Sequence, residues 1–211
     1  MKIAASFLSI KENIKEEINN LCKEDIDYLH LDVMDGIFVD NTTYNYEQFY
    51  NMVNESTKPL DVHLMVSDVK KYIDEFLKLN PEFITFHYEA ASEVGSVINY
   101  IKEKGIKVGM SIKPSTDVSE IIDYLDYLDL VLVMSVEPGH GGQAFIENSV
   151  KKIEALYNLR ENQGYSYVIE VDGGINDKTI SLCEKADICV VGSYITNQNY
   201  GEAINKLRNN R

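Results

Sequence analysis

The chain has 211 residues, 45% of them hydrophobic and 26% charged, which is enough for one medium-sized domain with a substantial core. Its 20 basic and 34 acidic side chains leave a formal charge of −14, and so acidic a surface argues against nucleic acid or an anionic membrane as partner. Cys22, Cys183 and Cys189 are odd in number and lack CxxC spacing, the N-terminus carries no secretory pattern, and no apolar run approaches the roughly 20 residues that span a bilayer; a cytoplasmic protein is expected.

Short apolar runs rich in β-branched residues alternate with amphipathic stretches along the whole chain. Strands are predicted at residues 3–8, 28–34, 60–65, 83–87, 107–112, 130–135, 167–171 and 188–191. Between them, Val69, Tyr72, Ile73, Phe76 and Leu77 fall on one face of a helix spanning residues 69–79. Val94, Val97, Ile98 and Ile101 repeat that pattern, with Gly105 placed as a C-cap. Asp117 and Glu120 form a capping-box-like start to the next helix.

Eight such units with short connections suit a parallel sheet covered by helices. A doubly wound dinucleotide binder would carry GxGxxG after its first strand, and residues 6–11 contain no glycine. The length suits a closed barrel. The expected architecture is a single TIM (β/α)8 barrel, with residues 1–211 forming one domain.

Residues two apart in a strand share a face. In the second strand this puts His30, Asp32 and Met34 on one face and Leu31 and Val33 on the other. Leucine and valine suit the face under the helices, so the imidazole and carboxylate turn toward the barrel interior. The third strand does the same with Asp61, His63 and Met65, and the seventh delivers Asp172. A buried carboxylate needs compensation. His30, Asp32, His63 and Asp172 would converge at the C-terminal mouth, where TIM-barrel active sites lie. Two histidines and two aspartates form a credible ligand set for one divalent metal ion: Zn, Fe, Mn or Co. His87 reads as a supporting or core histidine.

Glycines mark the loops at the same mouth: Gly139, Gly141 and Gly142 after the sixth strand, Gly173 and Gly174 after the seventh, and Gly192 with Ser193 after the eighth. Such loops and a following helix start bind phosphate through backbone N–H groups. An anion held by local dipoles is compatible with a negative net charge.

Together these segments resemble the ribulose-phosphate 3-epimerase family over nearly the whole chain. Ala4-Ala5-Ser6-Phe7-Leu8-Ser9 is similar to its first strand, and residues 30–36 match HxDxMDG. Residues 61–65 match DVHLM, 133–139 resemble VMSVxPG, and 170–175 match EVDGGI. The resemblance implies a metal-dependent isomerase of carbohydrate metabolism, in the pentose phosphate pathway. It would interconvert D-ribulose 5-phosphate and D-xylulose 5-phosphate by two-base proton transfer at C3 through a cis-enediolate. It implies that His30, Asp32, His63 and Asp172 hold the metal, with Asp32 and Asp172 as the acid–base pair. Ser6 and His63 would contact substrate, and Met34, Met65 and Met134 would line the space around the reacting carbon. No organic cofactor is implied, and the resemblance suggests a homo-oligomer. Alternatives are a 3-epimerase of another ketose phosphate, such as D-allulose 6-phosphate, and a catalytically inactive sugar-phosphate-binding barrel. The chain departs from the family pattern at Asp40, Asn45, Lys113 and His140, which are expected in rim loops where substrate choice is made, and against the family its helix leading to the last strand is slightly shortened around residues 184–187.

Overall fold

The computed structural model describes residues 1–210. Its elements in chain order are β1 (Lys2–Ser6), α1 (Ile14–Leu21), β2 (Tyr28–Met34), α2 (Tyr46–Val53), β3 (Leu60–Met65), α3 (Val69–Phe76), β4 (Phe83–His87), α4 (Val94–Glu103) and β5 (Lys107–Ile112). There follow a 3₁₀ stretch (Val118–Tyr127), β6 (Leu130–Met134), α5 (Ser149–Gln163), β7 (Val168–Asp172), a 3₁₀ turn (Ile180–Cys183), β8 (Ile188–Val191), α6 (Ser193–Thr196) and α7 (Tyr200–Asn209). Every strand pairs in parallel with its sequence neighbours, and β8 closes on β1. The protein is therefore the expected TIM barrel.

The alternation predicted for β2 and β3 organises two separate apolar regions. Leu29, Leu31, Val33, Val62, Leu64 and Ile84 face outward and pack with the buried faces of the helices, Ile73 and Phe76 of α3 among them. Ile73 and Phe76 have no exposed surface, and each such burial is worth about 1.5–3 kcal/mol. Inside the barrel, Tyr28, Phe83, Leu130 and Ile188 plug the N-terminal end, with the Tyr28 and Phe83 rings edge to face at 5.9 Å. Above this plug the interior turns polar.

Several element ends differ from expectation. β1 stops at Ser6, where the chain turns away and the Ile10 N–H bonds to the Phe7 carbonyl at 2.9 Å. β6 ends at Met134 and β7 extends to Asp172. The predicted helix at 69–79 is α3 followed by one 3₁₀ turn, Leu77–Leu79. The capping box of Asp117 and Glu120 is present, but it opens a 3₁₀ stretch rather than an α-helix. The shortened segment before β8 is the four-residue turn Ile180–Cys183.

Candidate active site

Strand register brings the site together. β2 and β3 pair Asp32 with His63 and His30 with Asp61. β1 places Ser6 beside His30, and β6 places Met134 beside Asp172. At the C-terminal mouth, His30 Nε2 and His63 Nδ1 each lie 3.5 Å from Asp32 Oδ1, and His63 Nδ1 lies 3.8 Å from Asp172 Oδ2. One donor atom from each of the four residues falls within 4.8 Å of every other.

The two imidazole nitrogens aimed at this point are buried and have no hydrogen-bond partner among the described residues. Orphaned buried nitrogens are costly unless something else satisfies them. Four tetrahedral ligands at about 2.0–2.2 Å from a common ion stand roughly 3.4 Å apart, close to the spacings found. The donor set thus fits one divalent cation.

Further hydrogen bonds fix the orientation of each of these side chains. His30 Nδ1 is 2.5 Å from Asp61 Oδ2, the carboxylate–histidine pairing common behind metal ligands. His63 Nε2 is 2.9 Å from His87 Nε2, and His87 Nδ1 is 3.2 Å from Glu89 Oε2. Ser6 Oγ donates to Asp32 Oδ2 at 2.7 Å. Ser135 donates from its hydroxyl to the Asp172 and Gly173 carbonyls at 2.9 and 2.7 Å.

Electrostatics separate the two site carboxyls. Burial raises Asp172 to about 6, with the Asp32 charge adding to the effect against His30 and His63. At Asp32, burial is outweighed by both imidazoles, and its carboxyl is held far below the usual range. At His30, burial opposes protonation, yet Asp61 and Asp32 lift it well above the ordinary imidazole value. Burial, then the Asp61 charge, push Glu170 well above the carboxylate range. Burial lowers His87 to about 4 despite Glu89. The site therefore favours positive charge among its carboxylates, which a divalent ion supplies more strongly than an imidazolium proton.

A cavity opens over this cluster. Its walls include Ser6, Asp32, Asp172, the three methionines Met34, Met65 and Met134, and all six glycines of the loops after β6, β7 and β8 together with Ser193. His30 and His63 sit beneath these walls, 1% and 0% exposed. Gly174 shows why glycine is needed in the seventh loop: its φ is +67°, and a Cβ would stand 2.4 Å from the Phe145 backbone nitrogen. Asp35 anchors the β2 loop, accepting from the Ile37 and Phe38 N–H groups and from both the N–H and hydroxyl of Ser67. Asn41 then ties that loop to the β6 loop through the Gly139 carbonyl at 2.9 Å.

Of the four departures from the family pattern, His140 alone lines the cavity. Asn45 is a helix cap, exchanging hydrogen bonds with Gln48 at 3.0 Å in both directions. The Lys113 ammonium rests 4.1 Å from the centre of the Phe38 ring, and Asp40 is exposed outside the cavity. Sequence reading did not single out Glu89 or Ser135, and it gave Asp61 no role.

Comparison with known proteins decides the family. The family model described as "Ribulose-phosphate 3 epimerase family" matches residues 2–196. The chain belongs to the ribulose-phosphate 3-epimerase family. A ribulose-phosphate 3-epimerase of Treponema pallidum is 43% identical over 168 residues, covering 79% of this chain and 77% of that one. One from Bacillus subtilis is 37% identical over 216 residues and covers both chains completely. Among solved structures, 3-keto-L-gulonate-6-phosphate decarboxylase from Vibrio cholerae superposes with a TM-score of 0.70 at 12% identity, covering 99% of this chain and 96% of its own. At that identity the likeness speaks to the barrel alone. Membership in the epimerase family rests on the sequence matches, and the metal-compatible quartet at the mouth agrees with it. No helix among the described residues is long and apolar enough to cross a membrane.

Proposed function

We propose that this chain interconverts D-ribulose 5-phosphate and D-xylulose 5-phosphate, with one divalent cation held by His30, Asp32, His63 and Asp172. The observation that carries the reading is the meeting of two carboxylates from strands three steps apart around the barrel, β2 and β7, beside two partnerless imidazole nitrogens. Inversion at a carbon next to a ketone removes a proton from one face and returns one to the other. A single carboxylate cannot readily serve both faces. Asp32 and Asp172 approach from different sides of the barrel, so one takes the proton while the other donates, and the reverse direction exchanges their roles.

When bound, the cation would polarise the substrate carbonyl and offset the negative charge of the cis-enediolate. The rest falls to the chain itself. Ser6 fixes the free oxygen of Asp32, and Ser135 holds the backbone that carries Asp172. Met34, Met65 and Met134, each no more than 4% exposed, supply a soft apolar wall that adapts to a flattening carbon. Among the described residues lining the cavity there is no lysine or arginine. The substrate phosphate is therefore assigned to backbone N–H groups in the loops at 139–142, 173–174 and 192–193. Helix α6 has only one turn, so loop amides rather than a long helix dipole would hold the anion.

A His₂Asp₂ set suits Zn, Fe, Mn or Co, and no step calls for an organic cofactor. On this reading the whole chain acts as one catalytic domain, in the cytoplasm and as a homo-oligomer. The test is turnover by protein stripped of metal and reloaded with each divalent ion. Metal-dependent epimerisation of ribulose 5-phosphate supports the assignment, and its absence with every ion rejects it. Much higher activity on allulose 6-phosphate would transfer the assignment to the longer ketose.

A further inference from the structure

Resting on the metal assignment above, we infer that His87 and Glu89 are positioning residues that dictate which nitrogen of His63 is free to bind the ion. Imidazole can carry its proton on either nitrogen. His63 can ligate through Nδ1 only if the proton stays on Nε2, and the structure contains a chain of contacts that enforces this.

The chain starts at a group whose polarity cannot reverse. The backbone N–H of Lys113 donates to Glu89 Oε1 at 2.7 Å, and the Thr116 hydroxyl donates to the same oxygen. The loop presenting both groups is clamped from α5, where the Lys152 ammonium donates to the Lys113, Pro114 and Thr116 carbonyls at 2.8, 2.8 and 2.5 Å. Glu89 is thus an acceptor, and its other oxygen accepts a hydrogen bond from the His87 Nδ1–H at 3.2 Å. His87 then has only a lone pair on Nε2, so the contact at 2.9 Å must be donated by His63 Nε2. The lone pair of His63 Nδ1 is left pointing toward Asp32 and Asp172, at 3.5 and 3.8 Å.

The relay is closed to bulk solvent. His63 and His87 are both 0% exposed, their ring centres lie 5.0 Å apart, and the Phe38 ring covers His87 at 4.8 Å. His30 is served by a carboxylate directly, through Asp61. For His63 the carboxylate, Glu89 just after β4, is one side chain further away, and His87 carries its polarity inward. The relay uses the backbone of Lys113, so the departure of that side chain from the family pattern leaves it intact.

Two measurements on the full chain test the inference without any turnover assay. Long-range ¹H–¹⁵N correlation spectra of histidine-labelled, Zn²⁺-loaded protein should show His87 protonated on Nδ1 and His63 on Nε2. A His87 protonated on Nε2 overturns the inference. In chelator competition, His87→Leu should weaken Zn²⁺ binding by about 10–100-fold. His87→Gln should recover most of that loss, because its amide oxygen can accept from His63. Wild-type affinity in His87→Leu, or equal losses in both variants, would also overturn it. Should His87→Leu not fold, the wild-type tautomer and the His87→Gln affinity still decide. If wild type itself binds no divalent ion, the metal assignment fails with the inference; tight binding with the wrong tautomer removes the inference alone.

Discussion

Replacing Asp61 should weaken metal binding by an amount set by one hydrogen bond. Asp61 is 1% exposed, and its Oδ2 lies 2.5 Å from His30 Nδ1, so no solvent replaces the contact. Hydrogen bonds to a charged group contribute about 1.5–3 kcal/mol, against about 0.5–1.5 for a neutral pair. Asp61→Asn keeps an acceptor oxygen and loses the charge, a deficit of roughly 1–1.5 kcal/mol. At about 1.4 kcal/mol per tenfold, Zn²⁺ affinity should fall about five- to tenfold. Asp61→Ala leaves the His30 N–H unpaired and frees the ring to turn, and the loss should approach about 100-fold. Competition against a chromophoric chelator reads both values, with circular dichroism confirming the fold. An Asp61→Ala protein that binds Zn²⁺ within twofold of wild type would refute the reasoning, because His30 would then need no partner to present Nε2.

Asp172→Asn should reduce epimerisation by at least about 10²–10⁴-fold, the range for a lost general acid or base, with the fold intact; near-normal turnover would mean that Asp172 is not one of the pair. Gly174→Ala forces a side chain into a backbone with φ of +67° and onto the Phe145 backbone. It should cost at least about 1 kcal/mol, lowering Tm by at least about 2–4 °C in a chain of this size, and it should raise KM for phosphorylated substrate. An unchanged Tm contradicts that account. Adding a divalent ion at 100 times its Kd to stripped protein should stabilise it by about 2.7 kcal/mol, a rise of roughly 5–10 °C in Tm. That response should vanish in His63→Ala, and a variant that keeps it would place the ion elsewhere.

The quartet was legible because side-chain direction in a strand has a rigid period of two. Leu31, Val33, Val62 and Leu64 face the helices, so His30, Asp32 and His63 must face inward. What lay outside the sequence depended on relations between strands or on turns. Glu89 follows the end of β4, in the 3₁₀ turn Tyr88–Ala90, where the strand period no longer applies. Ser135 acts across the gap to β7, and that register cannot be read from either strand alone. The 3₁₀ geometry at Val118–Tyr127 was hidden because its buried residues, Val118, Ile121 and Leu125, have spacings that an α-helix satisfies equally well. Asn45 looked like a change at the substrate rim and is a helix cap, since family comparison marks the position without showing what the side chain touches.

The central claim is that two carboxylates invert one carbon from opposite faces, and its most direct test is the fate of the C3 proton in a first turnover. Metal-loaded protein should convert ribulose 5-phosphate in D₂O to xylulose 5-phosphate that carries deuterium at C3, because the product's proton comes from the second carboxyl and not from the one that took the substrate's. Xylulose 5-phosphate retaining the original proton at C3 would show a single base returning what it removed, and would contradict the roles given to Asp32 and Asp172.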